Sequence, residues 1–277
     1  MKVMYRLGCC MLAALLSSCL VESNDSPEET RIVIDQMQYD YILLVEHKKS
    51  KHEYRLYYTF TYDQYGRVSL LSIEGQLDIY KNGGYFEYNQ VHYSYSKEGN
   101  LTQVTYVDQV TNAVVLDYSF EYNEWGKPIR LREKIKNKAW EYRYNATHQL
   151  VEFSQIENGT STIFHLTYDE MGHFVYLVDN QKNERKSITY EERKTPFSQM
   201  NLDFTYANFA FTKGLIPWNE SKVNIKSIVE NDKEWKMDYV YDEQYGLPTY
   251  QVLYESDNRT KIREVTQFTY KEIKVKK

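Results

Sequence analysis

The sequence predicts an all-β fold, in which antiparallel hairpins repeat to form a large curled sheet or partial barrel. Two observations predict it: a short turn motif that recurs six times, and strand-like alternation on either side of that motif. The motif is a tyrosine, a small polar residue, two variable residues and a glycine. Its first five copies begin 22 to 33 residues apart, a spacing typical of repeat architectures. The copies are Tyr62–Gly66, Tyr95–Gly99, Tyr122–Gly126, Tyr144–His148, Tyr168–Gly172 and Tyr241–Gly246.

The polar residue and the glycine of each copy suit a hairpin turn. Asp, Asn or Ser at the first position can accept a hydrogen bond from the backbone two residues on. Glycine supplies the positive φ that closes a hairpin with a one-residue bulge. His148 takes that place in the fourth copy, and histidine is enriched at positive φ. We therefore predict turn roles for Asp63, Gly66, Gly99, Asn123, Gly126, His148, Asp169, Gly172, Asp242 and Gly246.

The segments that flank the motif alternate with a period of two. Leu56, Tyr58 and Phe60 alternate with polar neighbours before the first turn, and similar runs lie beside the others. One aromatic face and one charged face indicate antiparallel strands with one buried side. Two strands for each turn motif give more than ten strands, and an open sheet of more than ~10 strands curls or splits. The pattern leaves open whether the sheet closes into a barrel.

The same residues carry a resemblance to known families. The Y-[DN]-x-x-G hairpins resemble the YD repeats of RHS-type proteins. The stretch from TPFSQMNL at 195–202 through MDYVYDEQYGLPTYQVLY at 237–254 resembles a bacterial lipoprotein family of unknown function with a porin-like fold. The resemblance implies a fold over most of the mature chain and implies no activity.

The N-terminus has the features of a bacterial lipoprotein. We predict a signal peptide at residues 1–18, with a positive start and the apolar stretch Leu7–Leu16. Leu16–Cys19 matches a lipobox, which predicts lipidation of Cys19. Residues 19–31 then form a flexible acidic tether, and residues 32–277 a single β domain.

The predicted anchor also indicates the location. Because Leu20 stands where an inner-membrane retention signal places Asp, we expect an outer-membrane lipoprotein of a Gram-negative cell envelope. The acidic residues that follow fit a surface-export signal or a solvated spacer, so the periplasmic and surface-exposed faces both remain open. Cys9 and Cys10 would be removed with the signal peptide, which leaves no disulfide framework and no thiolate metal site.

Composition argues against a nucleic-acid partner. Loss of Lys2 and Arg6 leaves 32 basic and 39 acidic residues in the mature chain, a net charge of −7. No basic stripe that could neutralise phosphates is present in this sequence. The C-terminal KEIKVKK lacks the terminal aromatic residue of many outer-membrane barrels, so we expect the apolar faces to pack on a core, with the lipid anchor as the membrane contact.

No catalytic motif is recognised, and we predict no cofactor and no metal. His165 and His173 would face each other across one hairpin, yet no further ligand has clear spacing, so solvated histidines are the simpler interpretation. Asp63, Asp169 and Asp242 could be considered as glycosidase carboxylates. Their turn roles already explain them.

Two features are candidates for ligand binding. The residue before the turn glycine is bulky in four copies, so stacked hairpins could align an apolar row that binds sugar rings or packs within itself: Tyr65, Trp125, Met171 and Tyr245. The second is an aromatic-rich insert at residues 196–218, which includes Phe209 and Trp218 and would form a cap or a ligand-binding lid.

These features favour a non-enzymatic extracytoplasmic binding module anchored to the envelope, with glycans as the leading ligand class. A structural or assembly partner of another envelope protein is the first alternative. An unrecognised hydrolase is the second.

Overall fold

The computed structural model describes residues 28–44, 51–77, 90–179, 184–199, 223–230 and 232–277. Within those ranges the chain forms sixteen β-strands and one 3-10 helix, Pro196–Gln199. The strands are β1 Glu28–Leu44, β2 Lys51–Tyr62, β3 Val68–Leu77, β4 Gln90–Tyr95, β5 Leu101–Asp108, β6 Ala113–Tyr122, β7 Pro128–Glu133, β8 Lys138–Tyr144, β9 Leu150–Glu157, β10 Thr160–Tyr168, β11 Phe174–Asp179, β12 Glu184–Lys194, β13 Val223–Glu230, β14 Lys233–Tyr241, β15 Pro248–Glu255 and β16 Asn258–Lys276. The predicted all-β antiparallel fold is confirmed.

The strands follow one another around a closed barrel. Each pairs antiparallel with its neighbours in sequence, and β1 pairs with both β2 and β16. The β1–β16 ladder runs from Glu28 opposite Lys276 to Tyr41 opposite Glu264. Closure leaves neither terminal strand with an unpaired edge, which is how barrels avoid edge-to-edge association.

The first strand begins earlier than the sequence indicated. Residues 28–31 were predicted to belong to the tether, but they form the start of β1. Their partner is the basic end of β16, where Lys274 Nζ lies 3.9 Å from a Glu28 carboxylate oxygen and Lys277 Nζ lies 3.9 Å from a Glu29 carboxylate oxygen. From the local sequence, these acidic residues are typical of a solvated spacer. In the structure they pair with a strand of opposite charge that lies 240 or more residues later in the chain.

The barrel interior is an aromatic core. One cluster of buried side chains collects residues from β1 to β10, β12 and β16. Its largest fully buried members include Tyr106, Phe60 and Phe153. The ring centroids of Tyr118 on β6 and Trp140 on β8 lie 6.1 Å apart, so the packing reaches past the intervening strand. Large aromatics carry most of this burial because each removes much apolar surface from water.

The outward face of the sheet carries charge. Ion pairs join neighbouring strands at Asp40–Arg55, Asp117–Lys134, Glu121–Arg132, Arg130–Glu141, Arg143–Glu152 and Asp35–Lys271. Charged cross-strand pairs favour a register in which the aromatic side chains stay inside. No helix in the described part of the chain is long and apolar enough to cross a membrane.

The start of the insert turns towards the barrel interior. After β12, the helix Pro196–Gln199 contacts β1, and the Phe197 ring meets the buried ring of Phe268 on β16 edge-on at 6.0 Å. β1 and β16 lie at least four strands from β12 around the ring. The beginning of the insert therefore bridges two parts of the barrel wall. Residues 200–222, with Phe209 and Trp218, lie outside the described residues.

Candidate functional site: the turn-motif rim

The meander brings all six copies of the turn motif to one end of the barrel. Each copy follows an even-numbered strand, and even-numbered strands all run towards the same end. We call this end the turn-motif rim: residues 63–66, 96–99, 123–126, 145–148, 169–172 and 242–246. The start of β1 and the end of β16 lie there too, because Lys276 N donates to Gln64 O at 2.8 Å.

Five of the six turns share a side-chain hydrogen-bonding scheme. In the first copy, Asp63 Oδ1 accepts from Tyr65 N at 2.9 Å and from Arg67 N at 3.0 Å. Asn123, Asn145 and Asp242 also accept from backbone N–H groups within their turns, as Asp169 does from His173 N. The residues that close the six turns all have positive φ, between 61° and 92°: Gly66, Gly99, Gly126, His148, Gly172 and Gly246.

Four of the motif tyrosines hold their repeat to the one before it. The Tyr95 hydroxyl donates to Val68 O at 2.8 Å, and Tyr144 donates to Pro128 O at 2.7 Å. In each case the acceptor lies two residues beyond the turn glycine of the preceding copy. Among the described residues, the tyrosine series, with its backbone carbonyl acceptors, is Tyr62–Ile34, Tyr95–Val68, Tyr122–Leu101, Tyr144–Pro128, Tyr168–Leu150, Tyr239–Ile225 and Tyr270–Pro248.

Burial keeps four of these tyrosines in their donor form. Desolvation is the largest cause that raises the pKa of Tyr62, Tyr95, Tyr239 and Tyr270, and a nearby carboxylate (Asp35, Asp63, Glu191 and Asp242 respectively) raises each of these pKa values further. A phenol with a raised pKa stays protonated and can donate throughout the physiological pH range. Sequence reasoning found the motif tyrosines but not their acceptors, and it missed Tyr239 and Tyr270, which lie outside the motif.

Neighbouring turns also touch through their side chains. The guanidinium of Arg67 lies 4.8 Å from the ring centroid of Tyr65 and 4.4 Å from that of Tyr95, so it connects two copies. The Trp125 ring meets the His148 ring of the next turn edge-on, with centroids 4.3 Å apart. Tyr245 meets Tyr270 at 6.4 Å. His148 thus supplies a packing surface that glycine would lack.

The bulky tip residues differ in exposure. Met171 is 81% exposed, Trp125 55% and Tyr65 41%, whereas Tyr245 is only partly exposed. Trp125 lies four strands from Tyr65 and four from Met171, which is roughly 19 Å along the sheet at about 4.8 Å per strand. The tip residues are therefore exposed side chains at separate places on one rim. Trp125 offers an aromatic face whose position is held by contact with the His148 ring.

A polar cluster at the base of the insert was not found from the sequence. Asn224 is buried, and its side-chain Nδ2 donates to Lys194 O and to the Tyr241 hydroxyl, each at 2.9 Å, with a longer contact to Glu191. Arg193 lies over the Tyr241 ring at 4.3 Å. Desolvation raises the pKa of the Glu191 carboxyl, opposed by Asn224 and nearby cations. The cluster fastens the two strands from which the insert departs.

His165 and His173 do not face each other across the hairpin as predicted, and the three turn carboxylates are not brought together in the described ranges. His165 lies opposite Val178 and 3.6 Å from Glu152, whereas His173 lies in a turn, 3.3 Å from Asp169. No group of three or more potential metal-ligating residues occurs among the described residues. Asp63, Asp169 and Asp242 stand on separate hairpins.

Comparison with known proteins supports the fold. No protein-family model matches the chain, and no curated protein sequence matches it. A porin-like protein from Bacteroides uniformis aligns with a TM-score of 0.56 and 11% identity, covering 86% of this chain and 98% of that one. The fold resembles that of a porin-like protein. At this identity the likeness concerns the fold alone.

Two further solved structures align with lower scores. A porin-like protein from Bacteroides vulgatus has a TM-score of 0.37 and 12% identity, covering 86% of this chain and 98% of that one. The Tc holotoxin pore of Photorhabdus luminescens has a TM-score of 0.27 and 11% identity, covering 83% of this chain and 14% of that one. Alignments with TM-scores below 0.5 support no conclusion about the fold or the function of this chain.

Proposed function

We propose that the chain is an outer-membrane lipoprotein that binds saccharides at the turn-motif rim and catalyses no reaction. The anchor is the lipidated Cys19, and the barrel serves as the rigid support for the rim. One observation supports saccharide binding at the rim more than any other. The Trp125 ring is half-exposed at a hairpin tip and held edge-on against His148.

An aromatic ring in this position suits a sugar. Saccharide rings present flat C–H faces, and an indole offers a broad apolar surface together with a polar N–H. The His148 contact restricts the indole, so less conformational entropy is lost when a ligand binds. Tyr65 and Met171, each exposed on the same rim about 19 Å from Trp125, would contact a branched or extended saccharide long enough to reach them.

The test is saccharide binding by the soluble mature chain carrying Cys19→Ala. An array of bacterial and host polysaccharides identifies a ligand, and titration then compares Trp125→Ala with the parent chain. We expect binding to weaken about 5- to 150-fold, which corresponds to the ~1–3 kcal/mol of one aromatic stacking contact. Melting temperature should change little, because an exposed ring buries little surface without ligand.

A matched control is Tyr57→Ala. Tyr57 is an exposed aromatic residue on β2, away from the rim. Its removal should leave saccharide affinity unchanged. If Trp125→Ala lowers the melting temperature and binds as the parent does, Trp125 is a packing residue and the proposal is wrong.

A protein partner is a second candidate function, favoured by the opposite end of the barrel. Val110, in the β5–β6 hairpin, is 87% exposed, and Ile135, in the neighbouring β7–β8 hairpin, is exposed as well. Exposed apolar tips next to each other are a feature of protein-binding surfaces. If the double variant Val110→Ser/Ile135→Ser abolished envelope function while saccharide binding stayed intact, this candidate would replace the first.

A further inference from the structure

We propose that the turn-motif rim is the membrane-facing end of the anchored protein, and that the saccharide it binds is carried by that same membrane. This inference rests on the proposed function and names the source of its ligand. It follows from where β1 begins.

The described chain starts at the turn-motif rim. β1 begins at Glu28, opposite Lys276 at the end of β16. Two contacts fix this corner beside the first turn: Lys276 N donates to Gln64 O at 2.8 Å, and Arg31 Nη1 approaches Tyr65 O at 3.4 Å. The chain therefore leaves the barrel next to Tyr65, one of the exposed tips.

The length of chain before β1 limits how far this corner can be from the lipid. Nine residue steps separate Cys19 from Glu28. Even fully extended, they span at most about 30 Å, at ~3.3–3.6 Å for each residue. With Cys19 in the bilayer surface, the turn-motif rim lies within that distance of the head groups.

The opposite rim lies a strand length farther along the barrel. β5 has eight residues, which is roughly 26 Å along the strand at ~3.3 Å per residue and less along a tilted barrel axis. An inverted barrel would need the nine residues to span about 20 Å beside the wall, which exceeds the roughly 15–18 Å mean extent of a flexible chain of that length and costs part of their conformational entropy. The upright arrangement has no such cost.

The exposed side chains at the hairpin tips are of types that suit a surface facing the bilayer. Met171, Trp125 and Tyr65 would point into the narrow layer between barrel and lipid. Tryptophan and tyrosine favour that interfacial layer, where an apolar ring and a polar group are both accommodated. A saccharide in this layer is one attached to a lipid of the same membrane, so we expect binding in cis.

Orientation is measured with single-cysteine labels on the acylated mature protein in phospholipid vesicles. Met171→Cys and Val110→Cys form a matched pair, because both lie in hairpin tips and are 81% and 87% exposed. Acylated Cys19 is the one native cysteine of the mature chain and does not react with the label. A fluorophore on each introduced cysteine is quenched by quenchers attached to lipid head groups.

We expect several-fold stronger quenching at position 171 than at position 110. Equal quenching, or stronger quenching at position 110, would overturn the orientation. Failure of the acylated protein to associate with vesicles would overturn the anchor and this inference. Saccharide binding by the soluble Cys19→Ala chain does not depend on the anchor. Failure of this inference can therefore be distinguished from failure of the proposed saccharide binding.

The source of the ligand is tested with vesicles that contain lipopolysaccharide. When it shares the vesicle with the anchored protein, the emission of the position-171 label should shift, and Trp125→Ala should move that shift to about 5- to 150-fold higher lipopolysaccharide content. When it is in separate vesicles, the protein should not bridge the two populations. Bridging of separate vesicles, or no shift in cis, would overturn a ligand carried in cis.

Discussion

The hydroxyl of Tyr122 on β6 donates a hydrogen bond of 2.6 Å to the backbone carbonyl of Leu101 on β5, two residues beyond Gly99. One residue of the turn motif thus fastens its own repeat to the preceding one. The same relationship recurs around the wall, at Tyr95, Tyr144 and Tyr168. The motif therefore encodes both a turn and a contact between hairpins.

Removal of one such hydroxyl should destabilise the barrel without changing its shape. Tyr122→Phe leaves the ring in place and loses the bond to Leu101, so we expect the free energy of unfolding to fall by about 1–2 kcal/mol. Denaturant unfolding measures the change. Tyr65→Phe, at an exposed tip, is the control and should have almost no effect. Equal stability of the two variants would contradict a stabilising role for the tyrosine series.

The turn glycines should differ in their sensitivity to substitution. Gly66 and Gly126 both have positive φ, at 74° and 70°, where an L-residue costs about 1–2 kcal/mol. A Cβ at Gly126 would meet only Asn100 Oδ1, at 3.8 Å, whereas one at Gly66 would lie 2.8 Å from Val275 Cγ1. Gly66→Ala should therefore lower the melting temperature more than Gly126→Ala.

Asparagine at Gly126 provides the control, because asparagine tolerates positive φ better than alanine. Gly126→Asn should be milder than Gly126→Ala, whereas equal and negligible effects of Gly66→Ala and Gly126→Ala would refute the backbone argument. His148→Gly should leave the melting temperature almost unchanged. Glycine relieves the backbone strain of a histidine at φ 61°, but the substitution also removes the ring contact with Trp125.

The polar cluster at the insert base should be required for stability. Asn224→Ala leaves Lys194 O without its side-chain donor and removes a partner of Tyr241, so we expect a loss of about 1–3 kcal/mol. Gln244→Ala, in an exposed turn, is the matched polar control. Thermal unfolding of both variants measures the difference, and a neutral Asn224→Ala would show that the cluster stabilises little.

Glu264 should make stability depend on pH. Burial raises the pKa of its carboxyl, while Arg263 and a hydrogen bond from Tyr39 oppose the shift. A folded pKa above the unfolded one means that the contribution to stability is fully present below the unfolded pKa, about 4.3, and is lost as pH rises through the folded value. Glu264→Gln should thus be more stabilising, relative to wild type, at about pH 7 than at about pH 4.

Chemical unfolding at both pH values measures this effect. Glu124→Gln, in an exposed turn, should show a much smaller difference between the two conditions. A stabilisation by Glu264→Gln that is larger at the lower pH would have the wrong sign and would contradict the burial argument.

The proposed lipid anchor has its own test. Cys19→Ala should abolish incorporation of labelled fatty acid and move the protein from the membrane fraction to the soluble fraction. Cys9→Ala changes a cysteine within the predicted signal peptide and should leave both unchanged. Membrane partitioning that persists in Cys19→Ala would refute the anchor.

The turns and strands are predicted well from the sequence because interactions between residues close together in the chain determine them. An Asp or Asn with a glycine three residues later specifies a turn through contacts within five residues, and alternation beside it specifies a strand. The hairpins around Asp63 and Asn123 are therefore predictable from their own residues. The side of the sheet that is buried follows from the same alternation.

Features that depend on distant residues could not be predicted in this way. Glu28 and Glu29 form a strand only because the basic end of β16 lies opposite. The partners of Asn224 come from two other strands. Gly75 has no motif around it, yet a Cβ there would lie 2.2 Å from Arg55 O on the paired strand, so close approach of two backbones explains this glycine.

Closure through the β1–β16 ladder places a demand on folding kinetics. The first strand of the barrel finds one of its two partners only after the last strand has been synthesised, since Glu28 and Lys276 are almost a full chain length apart. Pairing at such sequence separation is slow. Until it forms, the long edges of β1 and β16 are open to other chains. Chaperone protection during folding should therefore matter most for these two edges.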